Sequence, residues 1–163
     1  MYIDAVNAYK RLIDTIEASG AILLLLVAVI FAVDVIGRYL FGITASWIVE
    51  LEWYLAAIAL LVSFAPTLYR DGHVRVDVIR ERMNPVSKRW IDKIGHFLFL
   101  LPWCIFIVYA ASRYAYNSYL IGEGSPDPGG LPFRWIIKAF LPIGFALLGI
   151  EGLRQLVTKK VKN

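Results

Sequence analysis

Residues 46–64 read SWIVELEWYLAAIALLVSF. From Leu55 the stretch carries no charge, and with the next residues to Tyr69 it is long enough to cross about 30 Å of hydrocarbon, which takes roughly 20 residues. Two carboxylates, Glu50 and Glu52, stand at its head between Trp47 and Trp53. Tryptophan concentrates at membrane–water interfaces, so the stretch reads as a helix entering a bilayer. Three further apolar runs lie outward from it: GAILLLLVAVIFAV (20–33), FLFLLPWCIFIVYAAS (97–112) and WIIKAFLPIGFALLGI (135–150). Hydrophobic residues make up 59% of the 163-residue chain and charged ones 18%, against roughly 45–50% and 25% in soluble domains. The mean hydropathy is +0.63. The expected fold is an all-α membrane protein, one transmembrane domain over 1–163, with four transmembrane helices near 18–40, 47–69, 91–116 and 133–156.

The basic residues set an orientation. Lys10 and Arg11 precede the first span. Arg70, Arg75, Arg80, Arg82, Lys88, Arg89 and Lys93 lie between the second and third, and Arg154, Lys159, Lys160 and Lys162 follow the fourth. With four spans these segments share one side, which the positive-inside rule makes cytoplasmic, termini included. The other side receives the short turn FGITAS and the loop NSYLIGEGSPDPGGLPF, whose ionisable residues before Arg134 are Glu123 and Asp127. The isoelectric point of about 9.2 then reflects topology, and no nucleic-acid partner is expected. Met1 to Ser19 is long for a signal-peptide n-region and contains Asp4, Asp14 and Glu17, so the first span reads as an uncleaved anchor. Tyr2, Val6, Tyr9, Ile13 and Ile16 recur at helical spacing, as in an interfacial helix over 3–17 in contact with phospholipids, or one whose face packs on another protein subunit. A second such helix is expected in the cytoplasmic loop around Val76, Ile79 and Met83, and Asn84-Pro85 reads as the N-cap and first position of another.

Little here supports catalysis. His73 and His96 are too few and too unevenly placed for paired haem ligands, and the lone Cys104 lies in an apolar run. No phosphate-binding glycine loop, nucleophile–base set or metal-ligand cluster occurs. The chain is expected to be no enzyme and to hold no cofactor.

Ionisable residues at membrane depth are costly, and so are candidates for function. Asp34 and Arg38 are four apart in the first span and can pair on one face. Glu50 and Glu52 point roughly 200° apart on a helix. Glu52 continues into Ala56, Ala59, Ser63 and Pro66, a small-residue stripe that admits a neighbouring helix. Glu50 shares the bulkier face of Trp47, Tyr54, Ala57 and Leu61. One face is expected to pack within the chain and the other to meet something else. Both glutamates sitting simply at headgroup level remains an open alternative.

RYLFG (38–42), WIVEL (47–51), HVRVD (73–77), GGLPFRW (129–135) and LPIGF (141–145), in this order and on a four-span topology, resemble the small membrane subunit of tripartite ATP-independent periplasmic (TRAP) transporters. The motifs are weak singly, and their order carries the match. The resemblance falls on Arg38, Tyr39 and Gly42, on Trp47 and Glu50, on His73, Arg75 and Asp77 of the cytoplasmic loop, and on Pro132, Trp135, Pro142 and Gly144. Glu52 stands outside it. The resemblance implies a scaffold subunit in the bacterial inner membrane that serves sodium-coupled uptake of a carboxylated solute. Its implied partners are a large membrane subunit, as a separate polypeptide holding the substrate and sodium sites, and a periplasmic solute-binding protein. Asp34, Arg38, Trp47, Glu50 and Glu52 become candidates for the partner-subunit interface, with Arg38 and Glu50 able to neutralise each other across the turn 41–46, or charges on the partner. Glu123, Asp127 and Arg134 become candidates for binding-protein docking. A redox-enzyme membrane anchor would share the topology. So would a small homodimeric multidrug exporter, although that class wants a lone glutamate in the first span, where this chain has Asp34 and Arg38.

Overall fold

A computed structural model describes residues 2–72 and 83–157. Five α-helices follow one another: α1 (Tyr2–Phe41), α2 (Ser46–Tyr69), α3 (Pro85–Gly95), α4 (Leu101–Leu120) and α5 (Trp135–Val157). A single π turn, His96–Leu100, joins α3 to α4. Four helices are long and apolar enough to cross a membrane, the third formed by α3, the π turn and α4 together. The cytoplasmic-loop motif His73, Arg75 and Asp77, and the helix expected around Val76 and Ile79, lie outside the described residues.

The helix ends follow from local chemistry. Gly42, at φ +64°, donates to the Arg38 carbonyl at 3.2 Å and closes α1. Asp71 closes α2 in the same left-handed region, at φ +62°. Its N–H reaches Leu68 O at 3.2 Å, and that of Gly72 reaches Thr67 O at 2.9 Å, a Schellman arrangement. Gly122 repeats it after α4, with Gly122 N–H to Tyr119 O at 3.1 Å and Glu123 N–H to Ser118 O at 3.0 Å. At the start of α3, Asn84 accepts from Ser87 N–H and Pro85 takes the first turn, as Asn84-Pro85 led one to expect. The π turn immediately precedes Pro102, whose ring crowds the carbonyl four residues back and leaves it without a donor. Widening the helix there relieves both problems.

The segment 3–17 differs from the expected in-plane element. It joins the first span without a break, so α1 runs for 40 residues, or about 60 Å, twice the hydrocarbon thickness. Part of its apolar stripe packs on this chain itself: Ile13 is buried and Val6 half-exposed, and the ring of Tyr9 lies 6.2 Å from that of Tyr69.

Side by side, the spans pack mainly in the order α1, α2, α5, α4. The inner two therefore have protein on both sides. On α2, Ala59 is fully buried, and a Cβ on Gly20 of α1 would stand 2.6 Å from Ser63 Oγ. The small-residue stripe thus faces α1. The bulkier face meets α5, where a Cβ on Gly144 would come within 2.8 Å of Leu61 O and Phe64 meets Phe145 edge-on. Both faces of α2 are occupied by this chain, a correction to the expectation that one would be left for something else. The core of Leu68, Cys104 and Leu148 is flanked by Phe64, Leu100 and Phe145.

Candidate functional site

At the loop end of the molecule, Glu50 in the first turns of α2 reaches across to the segment between α4 and α5. Its carboxylate accepts from the Ser125 hydroxyl and from Leu131 N–H at 2.6 Å. The loop is shaped to bring those donors there. Asp127-Pro128-Gly129-Gly130 forms a turn closed by Gly130 N–H to Asp127 O at 3.0 Å, with Gly129 at φ +75°. Proline second and glycine third are what a type II turn demands. Ser125 Oγ also accepts from Asp127 N–H at 3.0 Å, and Ser125 N–H bonds Leu131 O at 3.1 Å. A Cβ on Gly130 would collide with Ser125 and stand 2.9 Å from Glu50 Oε2, so the backbone approaches the carboxylate as closely as glycine permits.

A second tie closes the same loop. Glu123 pairs with Lys138 of α5, while Arg134 Nη1 lies 3.9 Å away and Arg134 N–H donates to Glu123 O at 3.0 Å. The Lys138 ammonium beside it, with the Arg134 charge, holds the Glu123 carboxyl below the usual carboxylate range. Lys138 Nζ also sits 3.9 Å from the centre of the Tyr114 ring. Phe133 between these ties takes φ +63°, an uncommon conformation for a bulky residue, and it is exposed.

Between α1 and α2 lies a different group. Asp34 is almost wholly buried and pairs with Arg38, half of whose side chain is exposed. Glu52 faces this pair across the helix contact. It is buried, yet its Oε1 has no hydrogen-bond partner among the described residues. Arg38 thus meets Asp34, as their spacing allows, and Glu50 meets the loop, so of the two alternatives for Arg38 and Glu50 the mutual pair is not formed. Trp47 is half-exposed.

The opposite end holds a network that the charge pattern alone did not single out. Glu151 of α5 is completely buried. It accepts from Tyr9 Oη at 2.6 Å, from Arg154 Nε and Nη2 at 2.7 Å each and from Gln155 Nε2 at 2.8 Å. Gln155 Nε2 also reaches Leu68 O at 2.8 Å, and the Arg154 guanidinium lies over the Tyr9 and Tyr69 rings at 5.3 and 4.9 Å. Nearby, Arg70 after α2 binds Glu17 and, at 2.9 Å, Asp14 of α1. The carboxylate joins α5 to α1 through Tyr9, and Gln155 and Arg154 extend the link to α2. The spacing Glu151, Arg154, Gln155, between Gly149, Gly152 and the chain's last apolar turns, is the signal that was available. In the sequence Arg154 reads only as a topogenic charge.

The expected docking residues Glu123 and Arg134 therefore come together, with Lys138 on the other carboxylate oxygen of Glu123, while Asp127 contributes its backbone to the turn and leaves its side chain outward. Among the described residues no group of three or more His, Cys, Asp or Glu could hold a metal ion.

A search of curated protein sequences gave no significant match. The family described as "Tripartite ATP-independent periplasmic transporters, DctQ component" matches residues 26–160, a range that takes in the end of the first span, the other three spans, the Glu50-braced loop and the α5 residues of the Glu151 network. The chain belongs to the DctQ component family of the tripartite ATP-independent periplasmic transporters.

Proposed function

We propose that the chain is the static scaffold of a sodium-coupled transporter that takes up a carboxylated solute, an organic acid or an acidic sugar. In this reading a large membrane subunit carries the solute and the sodium ions, and a periplasmic binding protein delivers the solute. The chain sits in the bacterial inner membrane with both termini cytoplasmic, and the 121–134 loop faces the binding protein through Glu123, Asp127 and Arg134. Asp34, Arg38, Trp47 and Glu52 remain candidates for contact with the large subunit. Glu50 acts indirectly, by shaping the loop.

One observation carries the scaffold reading. The charges at both ends of the molecule are used to tie its own helices together, Glu50 and Glu123 at one end and Glu151 at the other. Carriers place their sites on half-helices interrupted near the midplane. Here the described spans are continuous, with only the π turn before Pro102 in one of them. Proteoliposomes with an imposed sodium gradient test the proposal. Labelled solute should accumulate when this chain, the large subunit and the binding protein are all supplied, and not when this chain is the only membrane protein. Accumulation with this chain alone would overturn the scaffold assignment. Within the full system, charge reversal at Glu123, Asp127 and Arg134 together should slow uptake without dissociating the two membrane subunits.

A further inference from the structure

Most cations near the ends of the spans meet a carboxylate: Arg38 meets Asp34, Arg70 meets Asp14 and Glu17, Lys138 and Arg134 meet Glu123, and Arg154 meets Glu151. Arg113 of α4 does not. Among the described residues its partner is Tyr109, one turn earlier, whose hydroxyl accepts from Nη1 at 3.0 Å and whose ring centre lies 5.9 Å from the guanidinium carbon. Both groups are on the outer side of α4, away from α5, with Phe106 and Tyr116 above and below them and 57% and 61% exposed. Ala110, also exposed, leaves a notch between Phe106 and Arg113.

The depth of Arg113 is fixed by its neighbours. It lies seven residues before Leu120, the end of α4, or about 10 Å along the axis. At the next position Tyr114 carries the ammonium of Lys138, which in turn reaches Glu123 in the loop. A long cationic side chain from this level thus attains the water boundary, which the paired rings of Tyr119 and Trp135 also mark. An arginine here extends its charge toward the headgroups while its stem stays against apolar surface.

We infer that Arg113, braced by Tyr109, is a binding site for the phosphate of a glycerophospholipid in the leaflet that borders the 121–134 loop, with an acyl chain lying along Ala110 and Phe106. The guanidinium supplies a donor fork matched to phosphate oxygens, and the charge complement that the chain provides elsewhere through carboxylates is here provided by lipid. Tyr109 occupies one donor and fixes the plane of the fork, leaving the others directed outward.

Native mass spectrometry of the full chain in detergent tests this directly. The protein is titrated with phosphatidylglycerol and, in parallel, with a diacylglycerol glucoside that has the same tails and no phosphate. Arg113→Leu should weaken the first bound phosphatidylglycerol about tenfold, the equivalent of one charge-assisted contact, and leave glucoside binding unchanged. Arg113→Lys, which keeps the charge and loses the fork, should fall between. Arg113→Gln, checked for helix content by circular dichroism, gives the same comparison if the leucine variant does not fold. Equal phosphatidylglycerol binding by folded Arg113 variants and parent overturns the site. So does loss of the large membrane subunit from Arg113→Leu with phospholipid binding intact, which would make the partner a protein carboxylate.

Discussion

Glu50 and Glu52 are two residues apart and live in different chemistry. Glu50 ends on two donors from the loop, whereas Glu52 ends on none that its Oε1 can use. Removing the first should therefore disorder something, and neutralising the second should not. Glu50→Ala is expected to raise amide hydrogen exchange at Leu131 roughly tenfold, the loss of one bond to a charged acceptor, while the helices keep their protection. For Glu52→Gln we expect thermal stability equal to or above that of the parent, because a buried carboxylate without a donor costs free energy that a neutral amide reduces. Asp34→Asn should lower it, since Arg38 then loses its charged partner. A large drop for Glu52→Gln in the isolated chain would mean that Glu52 has a donor these contacts do not show. The sequence placed the two carboxylates on opposite faces of α2 correctly from their spacing alone. It could not give their partners, because the loop donors lie 75 and 81 residues away and only the folded turn brings them near.

At the scale of an element, the loop from Gly122 to Arg134 is held by side chains on two helices, Glu50 of α2 and Lys138 of α5. Its local shape is legible in the letters: Pro128-Gly129 selects the turn type, and Gly122 stops α4. Its fastening was not, since Lys138 falls inside an apolar run and reads at first as an intruder in a span. The Glu123 tie also makes the loop sensitive to acid. A carboxyl held below its ordinary pKa of 4.5 contributes stability that is fully present above that value and is lost as pH falls through the lowered one. Hydrogen exchange at Arg134, whose N–H bonds Glu123 O, should accordingly rise when the pH is taken from neutrality to below the ordinary carboxyl range, after correction for intrinsic exchange. With Glu123→Gln the pH-dependent part of that rise should vanish. An identical pH profile in the variant would show that the acid response belongs to another group.

For the whole molecule, the number of spans was legible because hydrocarbon imposes length and composition on each segment. The neighbour relations were not, because a lipid-facing leucine and a core leucine look alike in sequence, and association of helices in a membrane rests on small residues and polar contacts. Gly20 against Ser63 and Gly144 against Leu61 are such contacts. The Glu151 network is another, and it explains why the first residues of α1 stand with the bundle and do not lie separately on the membrane. Tyr9 is the link from α1 to the α5 carboxylate, reinforced by Asp14 and Glu17 on Arg70. Breaking the network from its two sides should then have unequal results. Tyr9→Phe removes one hydrogen bond and keeps the ring against Arg154, so it should cost about 1 kcal/mol and free chiefly the first turns of α1. Glu151→Ala leaves Arg154 without its acceptor and Gln155 with Leu68 O alone. It should cost about 3 kcal/mol, the low end for breaking a buried ion pair, because 32% of the Arg154 side chain remains exposed. Thermal unfolding of the two variants, with limited proteolysis to report release of the N-terminal segment, separates the cases. Tyr9→Phe should expose cleavage sites before Gly20 with little change in midpoint, and Glu151→Ala should do both. Equal midpoints for Glu151→Ala and the parent would show that the network around the buried carboxylate joins the three helices without stabilising them.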